Sequence, residues 1–175
     1  MTDLPDSDDP FAVSDVRWRL DACGITRLGS VIPVFVHPDA DNPAATGIRV
    51  VLIGGLRGRS TDVEAARIAA EILPSLARDA GVELLLSVIP AANPDAFSED
   101  AESDDPLSIR PAFGYPPEGG FFDDSENPEA RYLWRWISFA APDLLLEVEN
   151  GDGVEWRENA AGGTLGRVLN SASVS

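Results

Sequence analysis

The chain has 175 residues, of which 44% are hydrophobic and 25% are charged, the balance of a single globular domain. Asp and Glu total 30 against 13 basic residues, all of which are Arg, so the formal net charge is −17. Such a charge repels phosphate backbones and anionic lipids, which excludes nucleic acids and membrane surfaces as expected partners. A single cysteine, Cys23, excludes an internal disulfide, and together with the single histidine, His37, it excludes a Cys/His zinc cluster.

The two ends of the chain differ in composition from its middle. The N-terminus lacks the basic and apolar regions of a secretory signal, and no apolar run is long enough to span a membrane, so we expect a cytoplasmic protein. Residues 1–15 are rich in Asp and Pro and are predicted to be a disordered tail. Residues 16–160 are predicted to form one α/β domain, and residues 161–175, rich in Gly, Ala and Ser, a weakly ordered end.

Three strands are predicted first along the chain. Trp18 and Leu20 alternate with arginines, which is typical of a short strand. The apolar run Val31–Val36 predicts a second strand, and its Pro33 favours a place at a sheet edge because proline lacks the backbone N–H. Residues 48–53 form the strongest β-branched run and predict the third strand.

A helix is predicted after the glycine-rich loop 54–60. Thr61 and Glu64 match a capping box, in which each side chain bonds the backbone N–H of the other residue. Pro74 lies inside the helical pattern and predicts a kink or an early end. The face expected to pack on the core is the apolar stripe of Ile68, Ile72 and Leu76.

The remaining elements complete an α/β pattern. Residues 82–89 predict a further strand, so that this strand, the helix and the strand before it form a parallel, right-handed crossover unit. Residues 91–127 are loop-like, residues 128–140 predict a second helix and residues 143–149 predict the last strand. Together these elements predict an α/β fold, a three-layer sandwich with a mainly parallel sheet.

The loops after the parallel strands are where a ligand site is expected. Ligands of open parallel sheets bind beyond the carboxyl ends of the strands, where loops 54–60, 90–97 and 149–155 should meet. Loop 54–60 departs from the phosphate-binding P-loop in its glycine spacing and has Arg59 where that motif requires Lys. Arg57 and Arg59 beside a helix N-terminus predict an anion site instead, the alternative being that both only pair with neighbouring acids.

Other catalytic or metal-binding patterns are weak in this sequence. There is no Gly-x-Ser-x-Gly elbow, and His37 follows a strand without an evident catalytic partner, so we interpret it as a residue without a catalytic role. An acidic run near the last strand offers oxygen ligands for Mg²⁺ or Ca²⁺. Because such a run is expected at a net charge of −17, no metal site is predicted from its members, which are Glu147, Glu149, Asp152 and Glu155.

Five segments in a fixed order carry a resemblance to a known family. They are Leu28-Gly29-Ser30 with the strand after it, the strand and loop 51–60, Asn93-Pro94-Asp95-Ala96-Phe97, Asn127-Pro128-Glu129-Ala130 and the segment from Pro142 to Asn150. In this order, residues 27–156 resemble the front half of the zinc carboxypeptidase (metallocarboxypeptidase) family. The resemblance implies that family's α/β fold, whose members hold a catalytic zinc ion.

The same resemblance implies that the zinc chemistry of the family is lost here. The three positions that match its zinc ligands carry other residues, namely Arg57, Ser60 and Glu149. Arg110 stands, by order alone, in the place of a substrate-binding Arg, and no general-base Glu is found, because Glu155 and Glu158 follow the third ligand position too closely. A divalent ion about 4 Å from Arg57 would face roughly 8 kcal/mol of repulsion at an effective dielectric constant of about 20, so no metal or cofactor is expected.

We therefore expect a carboxypeptidase-like domain without catalytic activity that acts as an anion-binding or interaction module. An ion pair between Arg57 and Glu149 is predicted to fill the space of the metal. The expected partner is a small anion such as a carboxylate, with a protein partner or self-association as a further option. The candidate ligand-binding residues are Arg57, Arg59, Ser60, Asn93, Arg110 and Glu149.

Two alternative functions stay open at this point. One is an active metal-dependent carboxypeptidase or deacylase with non-standard ligands. The other is an incomplete fragment of a longer hydrolase, because the second half of the family's fold is missing or very short in this sequence.

Overall fold

The computed structural model describes residues 18–96 and 128–148. Within these ranges the chain forms a five-stranded sheet, two α-helices and one 3₁₀ turn. The elements are β1 (Arg19–Ile25), β2 (Val31–Val36), β3 (Ile48–Gly54), α1 (Ser60–Asp79), β4 (Leu84–Ile89), the 3₁₀ turn (Pro94–Ala96), α2 (Pro128–Ala140) and β5 (Leu144–Val148).

The sheet has the strand order β1-β2-β4-β3-β5 and is mixed. β3 pairs in parallel with both β4 and β5, which confirms the predicted parallel unit around α1. The β1–β2 and β2–β4 pairs are antiparallel, so the expectation of a mainly parallel sheet is corrected to a mixed one. The physical reason is the short turn 26–30 between β1 and β2, since parallel neighbours need a crossover of a dozen residues or more.

The expectation that Pro33 marks a sheet edge is wrong. β2 lies between β1 and β4 in the sheet. Pro33 lies opposite Ala22, beside an irregularity between Ala22 and Gly24, and the pairing of β2 with β4 is confined to Phe35 and Val36. β2 accommodates the proline inside the sheet because its pairing with β1 is irregular next to Pro33 and its pairing with β4 begins only at Phe35.

The start of α1 differs from the predicted capping box. The helix begins at Ser60, and the extended backbone of Arg59 forms its N-cap without a side-chain hydrogen bond. The backbone N–H groups of Asp62 and Val63 both donate to the carbonyl of Arg59, at 3.1 and 3.4 Å. Thr61 therefore lies inside the helix, and Glu64 accepts hydrogen bonds of 2.9 Å from Arg67 instead of capping the backbone. The helix also runs past Pro74 to Asp79, so the early end expected there is wrong.

The buried residues of α1 are Asp62, Ala66 and Ala70 rather than those of the predicted apolar stripe. Ile68, Ile72 and Leu76 are 44%, 47% and 57% exposed. Ala66 and Ala70 are fully buried instead. A Cβ on Gly54 would lie 2.5 Å from the Cβ of Ala66, so the helix comes within contact distance of the β3 backbone. Only small side chains fit between a helix and a strand that are this close.

The two helices pack on opposite faces of the sheet. Val50, Leu52, Leu86 and Val88 form one apolar cluster with Ala70 of α1. The alternate strand residues, which point to the other face, form the second cluster with residues of α2. That cluster includes Val51, Ile53, Leu85, Ile89, Leu133, Trp134 and Ile137. Neither α-helix in the described part of the chain is long and apolar enough to cross a lipid bilayer.

Several sequence-based predictions lie outside the described residues. These are the tail 1–15, the weakly ordered end 161–175, the later part of the loop 91–127 and the acidic residues beyond Val148. The predicted strand near Trp18, the strand Val31–Val36 and the helix 128–140 are confirmed. The strands predicted at 82–89 and 143–149 are observed with slightly shorter bounds.

Candidate functional site

The loops after β3 and β4 lie against each other at the carboxyl ends of the parallel strands. The backbone N–H of Ala92 donates to the carbonyl of Gly54 at 3.0 Å, and that of Asn93 donates to the carbonyl of Gly55 at 3.2 Å. β5 ends at the same edge, because Val148 is the register partner of Gly54. The sequence predicts that three loops meet at this edge, and the structure confirms the meeting of loops 54–60 and 90–97.

Two glycines give loop 54–60 its shape. Gly55 and Gly58 adopt φ of 63° and 70°, in the left-handed region that other residues rarely enter. A Cβ on Gly58 would lie 2.3 Å from the Cβ of Ala96 and 2.7 Å from its carbonyl oxygen. The loop thus packs directly on the 3₁₀ turn that follows β4, and this contact holds the loop in one position.

Arg57 and Arg59 lie on the solvent side of this loop. Both residues are exposed, as is Ser60, whereas Leu56 between them and the core is only 2% exposed. Arg59 is the N-cap of α1 and Ser60 is its first residue, so both cations stand at a helix N-terminus. The helix dipole favours a negative charge at this place, where the first turn also contains the buried carboxylate of Asp62.

The described part of the structure does not bring together a set of metal ligands. No group of three or more His, Cys, Asp or Glu side chains that fits a metal ion is found within the described ranges. The sequence resemblance assigns two described residues to zinc-ligand positions, namely Arg57, which has no lone pair to donate, and Ser60. These residues do not fit the zinc ion of the carboxypeptidases.

Asn93 is placed differently from the exposed arginines. It is only 3% exposed, its N–H bonds Gly55, and its carbonyl accepts the N–H of Ala96 at 3.2 Å. Its backbone thus joins loop 54–60 to the 3₁₀ turn. Arg110 and Glu149 lie outside the described residues, and so does the predicted Arg57–Glu149 ion pair.

A buried carboxylate cluster close to this edge was missed by the sequence analysis. Glu129 is only 2% exposed, and its Oε1 accepts the backbone N–H of Arg27 at 2.9 Å and lies 3.5 Å from the Arg27 Nε. Glu129 is also in the first turn of α2, where the helix dipole stabilises a negative charge. The signal for this role was present in the Asn127-Pro128-Glu129-Ala130 segment, but spacing alone does not show what the carboxylate contacts.

Asp95 binds the same turn from the other side. Its Oδ2 accepts the backbone N–H of Leu28 at 3.1 Å. Burial raises the pKa of Asp95, but hydrogen bonds from Ser30, Thr26 and Leu28, together with the charge of Arg27, outweigh it and hold the pKa below its ordinary value. Two carboxylates from distant parts of the chain therefore fix the β1–β2 turn.

Two cavities of about 400 Å³ lie elsewhere in the described structure. The first lies at the amino ends of the parallel strands and includes Trp18, His37, Arg78 and Glu83. The second lies between β1 and α2 and includes Cys23, Tyr132, Arg135, Trp136 and Phe139. Because neither includes a residue of loop 54–60, neither cavity belongs to the predicted anion site.

Comparisons with known proteins support the fold but do not assign a family. No protein-family model matches the chain, and no curated protein matches it significantly. Among solved structures, the chain is similar to a metallo-carboxypeptidase from Burkholderia cenocepacia, with a TM-score of 0.55 and 16% sequence identity. The match covers 78% of this chain but only 37% of that chain. At this identity the similarity supports a carboxypeptidase-like α/β fold and nothing finer.

Proposed function

We propose that this chain is a metallocarboxypeptidase-like domain that has lost zinc-dependent hydrolysis and binds a small anion at the N-terminus of α1. The observation that carries the proposal is the position of Arg57, exposed at the carboxyl end of β3 where the sequence resemblance puts a zinc ligand. A three-layer arrangement is part of the same proposal, supported by helices that contact opposite faces of the sheet.

Electrostatics favours an anion over a metal ion at this place. Arg57 and Arg59 carry guanidinium groups, whose positive charges repel a divalent cation. Two unit charges about 4 Å apart interact with about 4 kcal/mol at an effective dielectric constant of about 20. The repulsion between a divalent ion and one arginine at that distance is about twice as large. A carboxylate or phosphate is attracted by the same charges and by the positive end of the α1 dipole.

The ligand that fits this arrangement is small and carries a planar or tetrahedral oxyanion. A guanidinium group carries paired N–H donors in one plane, which match two oxygens of a carboxylate or phosphate. Ser60 adds a hydroxyl at the helix start, and the buried Asn93 backbone holds the supporting loop. Arg110 and Glu149 are proposed as further contributors from their order in the sequence.

Calorimetric titration of the full chain with acetate and with inorganic phosphate tests the anion site. We expect saturable binding of at least one of them, weakened about tenfold by Arg57→Gln or Arg59→Gln, which corresponds to about 1.4 kcal/mol. Arg78→Gln is the matched control, because Arg78 is an exposed arginine in the last turn of the same helix. No saturable binding, or equal weakening by the control, would overturn the proposal.

A metal assay tests the loss of hydrolysis separately. We expect the purified chain to contain far less than one equivalent of zinc and to leave peptides and N-acyl amino acids intact. Stoichiometric zinc, with turnover that a chelator abolishes, would establish instead an active hydrolase with non-standard ligands.

A further inference from the structure

β1 is an end strand of the described sheet, and its outer edge is exposed. Leu20 is 66% exposed, and its neighbours Arg19, Asp21 and Ala22 are exposed as well. Phe139 of α2 is 68% exposed and lines a cavity with Asp21, so a further apolar group lies beside this edge. An exposed strand edge is a template on which another strand can pair.

The register of the sheet shows which backbone groups of β1 point outward. The N–H of His37 donates to the carbonyl of Leu86 at 2.9 Å, so the backbone groups of Phe35, two residues earlier, also point toward β4. Because the groups of Phe35 point away from β1, those of its register partner Leu20 point away from β2. The N–H and C=O of Leu20 therefore face the outer edge of the sheet.

Ala22 gives independent evidence for the same orientation. Its register partner is Pro33, which has no N–H to donate. The N–H of Ala22 donates to Oδ1 of Asp21 at 2.8 Å, and not to β2. Since backbone groups of a strand alternate in direction, the outward N–H of Ala22 agrees with the outward groups of Leu20 two residues before it.

The side chains beside Leu20 are complementary to a second copy of themselves. When two β1 strands pair in antiparallel about a two-fold axis at Leu20, the residue before Leu20 lies opposite the residue after it in the other copy. Arg19 then lies opposite Asp21 of the second copy, and the same pair forms again on the other side of the axis. Directly opposite Cβ atoms are about 5 Å apart, which is within reach of an ion pair.

The two charges share one face of the sheet in the single chain. Nη2 of Arg19 lies 4.0 Å from Oδ2 of Asp21 and also bonds Asp41. The Arg19 and Asp21 side chains are 45% and 48% exposed, so each has room for a further partner. Exposed charges of this kind contribute little to affinity, but they select the register in which the strands pair.

The affinity has to come from the backbone and from apolar contacts. The two Leu20 residues exchange a pair of N–H···O bonds at the axis, as directly opposite residues do in an antiparallel ladder. Their side chains, which point to the face opposite Arg19 and Asp21, meet there and are removed from water.

The net charge of −17 opposes self-association mainly over long distances. At an ionic strength of about 0.15 M the screening length is about 8 Å, so charges far from the edge contribute little. The described charges near the edge have both signs. Arg19 lies beside Asp21 and Asp41, and Arg135 lines the same cavity as Asp21. A second copy therefore meets a locally mixed surface.

We propose that two copies of this chain pair through β1, in antiparallel and with Leu20 at the two-fold axis, so that their sheets become continuous. The partner that fits this edge is thus the chain itself. This proposal does not depend on the anion site, because loop 54–60 follows β3, which β2 and β4 separate from β1.

Sedimentation equilibrium of the full chain at an ionic strength of about 0.15 M tests the pairing. We expect a dimer whose fraction rises with chain concentration up to about 1 mM. Arg19→Asp and Asp21→Arg each bring like charges together across the axis, so each should raise the dimer dissociation constant about tenfold. The double variant Arg19→Asp, Asp21→Arg places opposite charges across the axis again and should recover most of the loss.

The Asp21→Arg variant separates local pairing from a general charge effect. It makes the chain less negative, so long-range repulsion alone predicts stronger association, whereas pairing through β1 predicts weaker association. Glu64→Arg is the matched control, because Glu64 is an acid of similar exposure on α1 and its replacement should not weaken the dimer.

The outcomes decide the proposal. Weaker association of both single variants, with recovery in the double variant, supports it. A chain that stays monomeric at every concentration would overturn it. A dimer that the single variants leave unchanged, or that the double variant does not recover, would also overturn it, because the contact would then lie on another surface or in another register.

Discussion

The backbone N–H of Arg27 donates to the carboxylate of Glu129 at 2.9 Å, although the two residues are 102 positions apart in the chain. The bond joins the β1–β2 turn to the first turn of α2, and the Arg27 side chain adds an ion contact of 3.5 Å to the same oxygen. The Glu129 carboxylate is only 2% exposed and has lost its water, which these two contacts replace at Oε1. Glu129 is therefore a residue that holds the fold together.

Removal of this carboxylate should destabilise the protein strongly. We expect Glu129→Ala to lower the free energy of unfolding by about 3 kcal/mol, because it leaves a cavity and unpaired donors in the turn. Urea titration followed by circular dichroism measures the change. Glu64→Ala is the control: Glu64 also bonds an arginine but is exposed, so its loss should destabilise the protein far less. Equal effects of the two variants would contradict the structural role of Glu129.

Asp95 should make stability depend on pH in the acid range. Its pKa in the folded state is lowered from the ordinary value of 3.8, so the ionised form stabilises the fold above that value. This stabilisation is lost as the pH falls through the lower folded-state pKa, which places the loss below about pH 4. We expect Asp95→Asn to reduce the slope of unfolding free energy against pH in this window.

Unfolding titrations at a series of pH values test the Asp95 prediction. Asp39→Asn serves as the control, since Asp39 is an exposed acid in a turn. An Asp95→Asn slope identical to that of the unaltered chain would contradict the prediction.

Gly58 should tolerate no side chain. Alanine there combines the strain of a positive φ, about 1 kcal/mol, with a Cβ only 2.3 Å from that of Ala96, for a total of about 3 kcal/mol. Gly81→Ala is a matched control, because Gly81 has a similar φ of 71° but no atom within 4 Å of its Cβ position. The difference between the two variants in urea unfolding isolates the contact between the loop and the 3₁₀ turn. A difference near zero would show that the loop moves away freely.

Cys23 should be unreactive in the folded protein. Burial raises the pKa of its thiol to about 12, so almost no thiolate is present at neutral pH. We expect a thiol reagent such as iodoacetamide to modify the native protein at pH 8 at least a hundredfold more slowly than the protein in denaturant. Mass spectrometry of the modified chain measures both rates, and fast labelling without denaturant would contradict the burial of Cys23.

Local patterns predicted most of the strands and the second helix, since hydrophobic periodicity and β-branched runs act over a few residues. β2 and α2 were predicted with the bounds that the structure shows. The buried face of α1 was predicted wrongly, because the sequence of this helix has apolar residues on two of its sides. The stripe of Ile68, Ile72 and Leu76 is the more hydrophobic one, but the absence of a side chain at Gly54 brings Ala66 onto the strand. That choice depends on a contact between two elements, which helical spacing does not encode.

For the candidate site, the sequence identified the loop, its glycines and its arginines, because glycine conformations and permanent charges belong to individual residues. Only the tertiary structure decided which groups surround them. Asn93 became a buried backbone link, and Glu129 and Asp95 became the two acceptors for the β1–β2 turn. The reason is physical: the energy of a carboxylate depends on whether distant backbone N–H groups replace its water, and only the folded chain brings those donors to it.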